Sequence, residues 1–147
     1  MAENIDKLSQ IPKEILRIKH NGKVYNIDLN YELRVDENII DGMLRKSPSN
    51  YALLTLVRDK LIYKRDKLEK EKDKAYSKAW LYYKESSSKM SNETASHKAE
   101  MNQAYQGCLE RYNKASYEAN KLISICRAYE NRENILRTIS ANLRKQQ

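Results

Sequence analysis

Phenylalanine is absent from the 147 residues, glycine occurs three times, and proline and cysteine twice each. With so little glycine and proline, few sharp turns are possible and long regular elements are expected. The cysteines, Cys108 and Cys126, fall 18 residues apart on one predicted helix, about 27 Å at about 1.5 Å per residue. That exceeds disulfide reach within a chain, so both are expected to be reduced thiols acting as small hydrophobes. No stretch approaches the ~20 apolar residues of a membrane span. Residues Met1 to Asp6 carry no apolar run, so no secretory signal is expected and cytoplasmic residence is the default. Also missing are a P-loop, a glycine-rich phosphate cradle, and HExxH or CxxC pairs. The two histidines, His20 beside a predicted turn and His97 near a predicted helix start, read as surface residues. Without a Ser/His/Asp set or paired carboxylates, a non-enzyme with no cofactor and no metal is expected.

What the chain does have is charge and tyrosine. Lys and Arg number 28 against 20 Asp and Glu, a formal net charge of +8, and there are 11 tyrosines. Tyrosine keeps its hydroxyl wet, which suits shallow surfaces and interfaces. Residues 1–48 balance eight basic against eight acidic side chains, whereas residues 49–147 hold all of the excess. An anionic partner is therefore expected on the C-terminal part.

Near the N-terminus, Glu14 to His20 and Lys23 to Leu29 flank Asn21-Gly22. Asn-Gly is the preferred type I′ turn because both positions need positive φ. That register places Ile18 opposite Tyr25 and Leu16 opposite Ile27. Alternation continues through Leu29, Tyr31, Leu33 and Val35, which predicts a longer or bent second strand. A lone hairpin is marginal in water and needs a cover. Asp36 is then expected to cap a short helix using Ile39, Ile40, Met43 and Leu44. Ser47-Pro48 ends that helix and starts the next, as Ser at the N-cap with Pro at the first helical position predicts.

The first long helix is expected from about Pro48 to Lys84, with Leu54, Val57, Leu61, Leu68, Ala75, Ala79 and Tyr82 as its apolar line, interrupted by Arg65 and Lys72. Ser86-Ser87-Ser88 and Ser91-Asn92 read as a loop. A second long helix is expected from about Asn92 to Ala95 through to Leu143. Its 3-4 seam starts at Met101 and runs through Tyr105, Cys108, Tyr112, Ala115, Ala119, Leu122, Cys126, Tyr129, Leu136 and Leu143, with Glu133 and Ser140 as exceptions. Beside it lies a flank of Ile125, Ala128, Ile135 and Ile139. Two stripes on one helix imply two packing partners, one within the chain and one in a neighbouring subunit.

At about 100° per residue, Lys60, Lys64, Lys67, Lys74 and Lys78 share one face of the first long helix, bordered by Tyr63 and Lys70. Asp59, Asp66 and Asp73 form a separate acidic row, and Glu71 interrupts the basic side. The lysine ridge spans about 27 Å and is either a solvated face laced with ion pairs or a track for a phosphate backbone. A membrane-surface role would need a bulky apolar face that this helix lacks. Directly after it comes Lys78-Ala79-Trp80-Leu81-Tyr82-Tyr83-Lys84. Interleaved rings and cations suit single-stranded nucleic acid, where rings stack on bases and cations hold phosphates. The other reading of Trp80 and its tyrosines is a cap on the end of the helical core.

Over about residues 36 to 144 the chain resembles the UvsY-like recombination mediators of bacteriophages. The resemblance rests on Asp36 to Asp41 (Asp-Glu-Asn-x-Ile-Asp), Ser47 to Ala52 (Ser-Pro-Ser-x-Tyr-Ala), the basic aromatic string Lys78 to Tyr83, the block Ala128 to Leu136, and Ala141 to Arg144. The Asn21-Gly22 hairpin has no counterpart in that pattern. The resemblance implies a ring-like oligomer that binds single-stranded DNA, helps displace single-strand-binding protein and loads a RecA-type recombinase, in the service of DNA recombination and repair. It would place DNA contacts at Lys78, Trp80, Tyr82 and Tyr83, and assembly contacts at Ile135, Leu136, Ile139 and Leu143. For a phage-encoded chain the location would be the host cytoplasm.

Together these readings predict a mainly α fold, a long antiparallel, coiled-coil-like helical hairpin with a small N-terminal β-hairpin, in an oligomer. Residues 1–47 would form the β-hairpin and short helix, and residues 48–147 the two-helix oligomerisation and DNA-binding domain. The DNA-binding set is Lys60, Lys64, Lys67, Lys74, Lys78, Trp80, Tyr82, Tyr83 and Lys84. The oligomer set is Ile125, Ile135, Leu136, Ile139 and Leu143. Expected partners are single-stranded DNA, other copies of the chain, a recombinase and a single-strand-binding protein, with no membrane. The rival reading is a structural coiled-coil adaptor or scaffold without nucleic-acid binding. A third, a small DNA-binding regulator, lacks helix-turn-helix spacing.

Overall fold

Asn21 and Gly22 both take positive φ, 50° and 75°, as a type I′ turn requires. The computed structural model, which describes residues 14–36 and 40–146, forms the hairpin from β1 (Ile15–His20) and β2 (Lys23–Asp28). Pairing is antiparallel with Leu16 opposite Ile27 and Ile18 opposite Tyr25, the register the turn predicts. Leu16, Ile18 and Ile27 are buried on one face, and Ile15 and Val24 are exposed on the other.

The alternation after Asp28 is not strand. Residues Leu29–Glu32 form a short helix, α1. The Asp28 carboxylate accepts the Tyr31 N–H at 3.1 Å, an N-cap that satisfies a donor an extended chain would pair across a ladder. Leu29 donates its N–H to the Glu14 carbonyl at 3.1 Å and is itself buried. The helical turn keeps Leu29 inside.

Three helices follow: α2 (Ile40–Ser86), α3 (Asn92–Glu100) and α4 (Gln103–Lys145). The expected boundary at Ser47-Pro48 does not exist, because α2 runs through it without a break. Ile40 and Met43 pack with Leu136, and Leu44 and Ile139 lie against that cluster. Burying each large apolar side chain contributes about 1.5–3 kcal/mol, which offsets the ~3 kcal/mol of a helix-interior proline. The short helix expected after an Asp36 cap would begin in residues 37–39, which lie outside the described residues, and its Ile40, Met43 and Leu44 belong to α2.

The second expected helix is divided instead of continuous. Ser91 caps α3 by accepting the Thr94 N–H at 3.1 Å. At Asn102 the side-chain oxygen accepts the N–H groups of Ala104 and Tyr105 at 3.0 and 3.2 Å. This Asx cap starts α4 anew, and Met101 is left 80% exposed, outside the seam. Beyond the break the middle of the seam, Ala115, Ala119, Leu122, Cys126, Tyr129 and Leu136, is buried together with its polar exception Ser140, whereas Tyr105, Cys108 and Tyr112 are half-buried and Leu143 is exposed.

The chain divides into two compact units, Met1–Tyr51 with Arg127–Gln147, and Ala52–Cys126. In the first, Tyr51 stacks on Tyr129 with centroids 6.3 Å apart, Asn50 donates to the Glu32 carboxylate at 3.0 Å, and the buried Arg132 donates to the Arg34 carbonyl at 2.9 Å. These contacts tie α1, the start of α2 and the end of α4 together. In the second, α2 and α4 run antiparallel, with Lys72 over Tyr112, Tyr76 edge-on to Tyr105, and Tyr83 beside Asn102. Its alanines Ala79, Ala95, Ala99, Ala115 and Ala119 are all buried. Among the described residues no helix is long and apolar enough to cross a membrane.

Candidate nucleic-acid interface

The basic ridge lies wholly in the second unit. Lys60, Lys64, Lys67, Lys74 and Lys78 are all exposed. Among the described residues, Lys64, Lys67, Lys74 and Lys78 form no ion pair. The acidic row is paired elsewhere. Asp59, Asp66 and Asp73 bind Arg58, Arg65 and Lys72, each one residue earlier, at 2.9, 2.9 and 3.2 Å. Arg65 and Lys72, which interrupt the apolar line in sequence, thus have a structural role. Their stems are largely covered and their heads neutralise the aspartates. Asp66 is occupied by Arg65, so the ridge keeps its positive charge.

Lys72 shows the electrostatics of this arrangement. Partial desolvation pulls its ammonium down, but the hydrogen bond and charge of Asp73, with smaller contributions from Tyr112 and Glu69, outweigh it. Its pKa therefore lies above the ordinary 10.5. The ammonium stands 4.6 Å from the Tyr112 ring centroid, a cation–π contact between α2 and α4.

The aromatic string does not form one surface. Trp80 is half-buried and lines a shallow depression with Tyr76, Ser77 and Leu81. Tyr83 is turned inward, its hydroxyl 3.4 Å from the Asn102 amide nitrogen, with Lys98 5.9 Å from its ring centroid. Lys84 donates to the Met90 carbonyl and fastens the loop. Only Tyr82, 67% exposed, stays with the ridge. The helical period explains this scatter: at about 100° per residue, positions 80 and 83 lie within about 60° of each other and position 82 falls on the ridge side, its ring meeting that of Tyr83 edge-on at 5.3 Å.

Tyr82 joins Lys74 and Lys78 on a groove of about 510 Å³, floored by Ala75 and Ala79 of α2 and by Ala104 and Cys108 of α4. Glu71 and Asn102 complete its edge. Neither the groove nor Cys108, which is half-buried there, is visible in a one-helix reading. A second exposed ring borders the ridge. Tyr63 is 73% exposed, three residues after Lys60 and four before Lys67, so it stands within the ridge.

The residues proposed for assembly separate. Leu136 and Ile125 are buried within the chain and Ile139 packs on the Ile40 cluster, while Ile135 and Leu143 are exposed. Among the described residues, no group of His, Cys, Asp or Glu is arranged to hold a metal ion. Comparison with family models, with curated proteins and with solved structures finds no match.

Proposed function

We propose that this chain is a non-catalytic, sequence-independent single-stranded DNA-binding protein of the cytoplasm that acts in recombination, helping a RecA-type recombinase load where a single-strand-binding protein competes. The observation that carries the DNA-binding part is the separation of charge on α2. Its aspartates are occupied by Arg58, Arg65 and Lys72, so Lys64, Lys67, Lys74 and Lys78 are left to an external anion. A row of cations with exposed Tyr63 and Tyr82 beside it matches a strand whose phosphates and bases are both accessible. The recombination step rests on the resemblance to UvsY-like mediators. Self-association through exposed Ile135 and Leu143 would repeat the ridge, and repetition of a weak site raises avidity without a strong single contact.

Fluorescence anisotropy with a labelled homopolymeric oligonucleotide tests the reading. Binding at low salt, little preference among base sequences, and a marked loss in Lys64→Glu/Lys67→Glu are expected. No binding at low salt would favour the adaptor reading, for which the exposed Ile135 and Leu143 are the supporting observation.

A further inference from the structure

We propose that the groove between α2 and α4 takes an unstacked base of the bound single strand, with Tyr82 as its stacking partner and Lys74 and Lys78 on the flanking phosphates. This rests on the single-stranded DNA reading and adds a defined base site to it. The groove has two chemistries side by side. Its floor is apolar, made of Ala75, Ala79, Ala104 and the Cys108 side chain, and its rim carries Lys74 and Lys78, which have no ion pair among the described residues. A ligand that fills both must be flat and weakly polar in one part and anionic in the next. A nucleotide within a strand has that form. At about 510 Å³ the groove falls in the range of roughly 300–1,000 Å³ typical of small-ligand sites.

The alanines matter because they keep the floor low, so a ring can enter between the helices. Tyr82 supplies the π-face at the edge. Glu71, at the border of the groove, repels phosphate from that side and restricts the backbone to the Lys74 and Lys78 rim. Asn102 is committed to capping α4 and to Tyr83, which leaves no directed hydrogen-bond code for one base. The site therefore accepts any base, as a stacking site does.

Cys108 makes the proposal directly measurable. It lines the groove, whereas the second thiol, Cys126, is buried. The rate of Cys108 modification by a maleimide is measured on the full chain alone, with saturating oligothymidylate, and with an abasic oligonucleotide of equal length and charge. A Cys108→Ser variant identifies the signal. Oligothymidylate should slow the reaction about tenfold and bind more tightly than the abasic strand, by about the 5- to 150-fold that one stacked base supports. The abasic strand should leave the thiol reactive. Ala104→Trp, which fills the groove from an exposed position, should weaken oligothymidylate binding without changing its salt dependence. If both strands bind equally, or if oligothymidylate binds and leaves Cys108 reactive, the base site is wrong while the ridge reading survives. Absence of binding by either strand at low salt overturns both.

Discussion

Neighbouring residues on α4 have opposite fates. Leu136 is fully buried in the cluster with Ile40 and Met43, and Ile135 is 50% exposed. Leu136→Ala should cost about 2–5 kcal/mol through lost transfer and a residual cavity, and Ile135→Ala less than about 1 kcal/mol; urea unfolding of the two variants measures the difference. Lys72 allows a test by pH. Its folded pKa is raised, so its contribution is whole below the ordinary 10.5 and fades as pH rises through the higher folded value. Lys72→Met should lose about 1 kcal/mol at neutral pH, the scale of one cation–π contact. That gap to the parent chain should be flat up to about pH 10 and narrow above it, a pattern that denaturant titrations at several pH values would reveal. The seam Ala115 to Ser140 was legible because a 3-4 period directly reports one buried helix face. The placement of Trp80 and Tyr83 was not, since a string of adjacent aromatics suggests one patch until the 100° step is applied to each member.

At the scale of elements, the hairpin was the most legible part. Asn-Gly determines both turn type and register, and the observed pairing follows from it. A Cβ built at Gly22 meets nothing within 4 Å, so Gly22→Ala pays only for its φ of 75°. A loss of about 1–2 kcal/mol is expected from that left-handed strain, readable as a lowered melting midpoint of the first unit. Three boundaries were misread for one common reason: side-chain caps and packing outweigh period and propensity. Asp28 converts an alternating stretch into α1, and Asn102 interrupts a helix whose seam spacing continues through the break. At Ser47-Pro48 the Ile40 cluster carries α2 across a proline. In each case the deciding contact is tertiary or a local side-chain cap, which hydrophobic spacing does not encode.

For the whole molecule, the excess of positive charge in residues 49–90, eleven basic against six acidic side chains, has a location. The aspartates of α2 are neutralised by Arg58, Arg65 and Lys72, so the excess is expressed on the lysine ridge. Of the candidate site, the ridge was legible from helical spacing alone; the groove was not, because it needs α4 brought against α2. The reading of the chain as an assembling protein is tested by light scattering after size exclusion. Mass above a single chain is expected at micromolar concentration, and Ile135→Asp/Leu143→Asp should reduce it while helical content by circular dichroism holds. A parent chain that elutes as a clean monomer would contradict assembly.

The central claim is that the ridge neutralises the backbone of a single strand. Its most direct test is the salt dependence of oligonucleotide affinity. Each phosphate neutralised on a single strand contributes about −0.7 to the slope of log K against log salt, so Lys64, Lys67, Lys74 and Lys78 together predict about −2.8 per ridge. Substituting Lys64 and Lys67 by Ala should bring it to about −1.4. A slope near zero, or one unchanged by those two substitutions, would contradict the account.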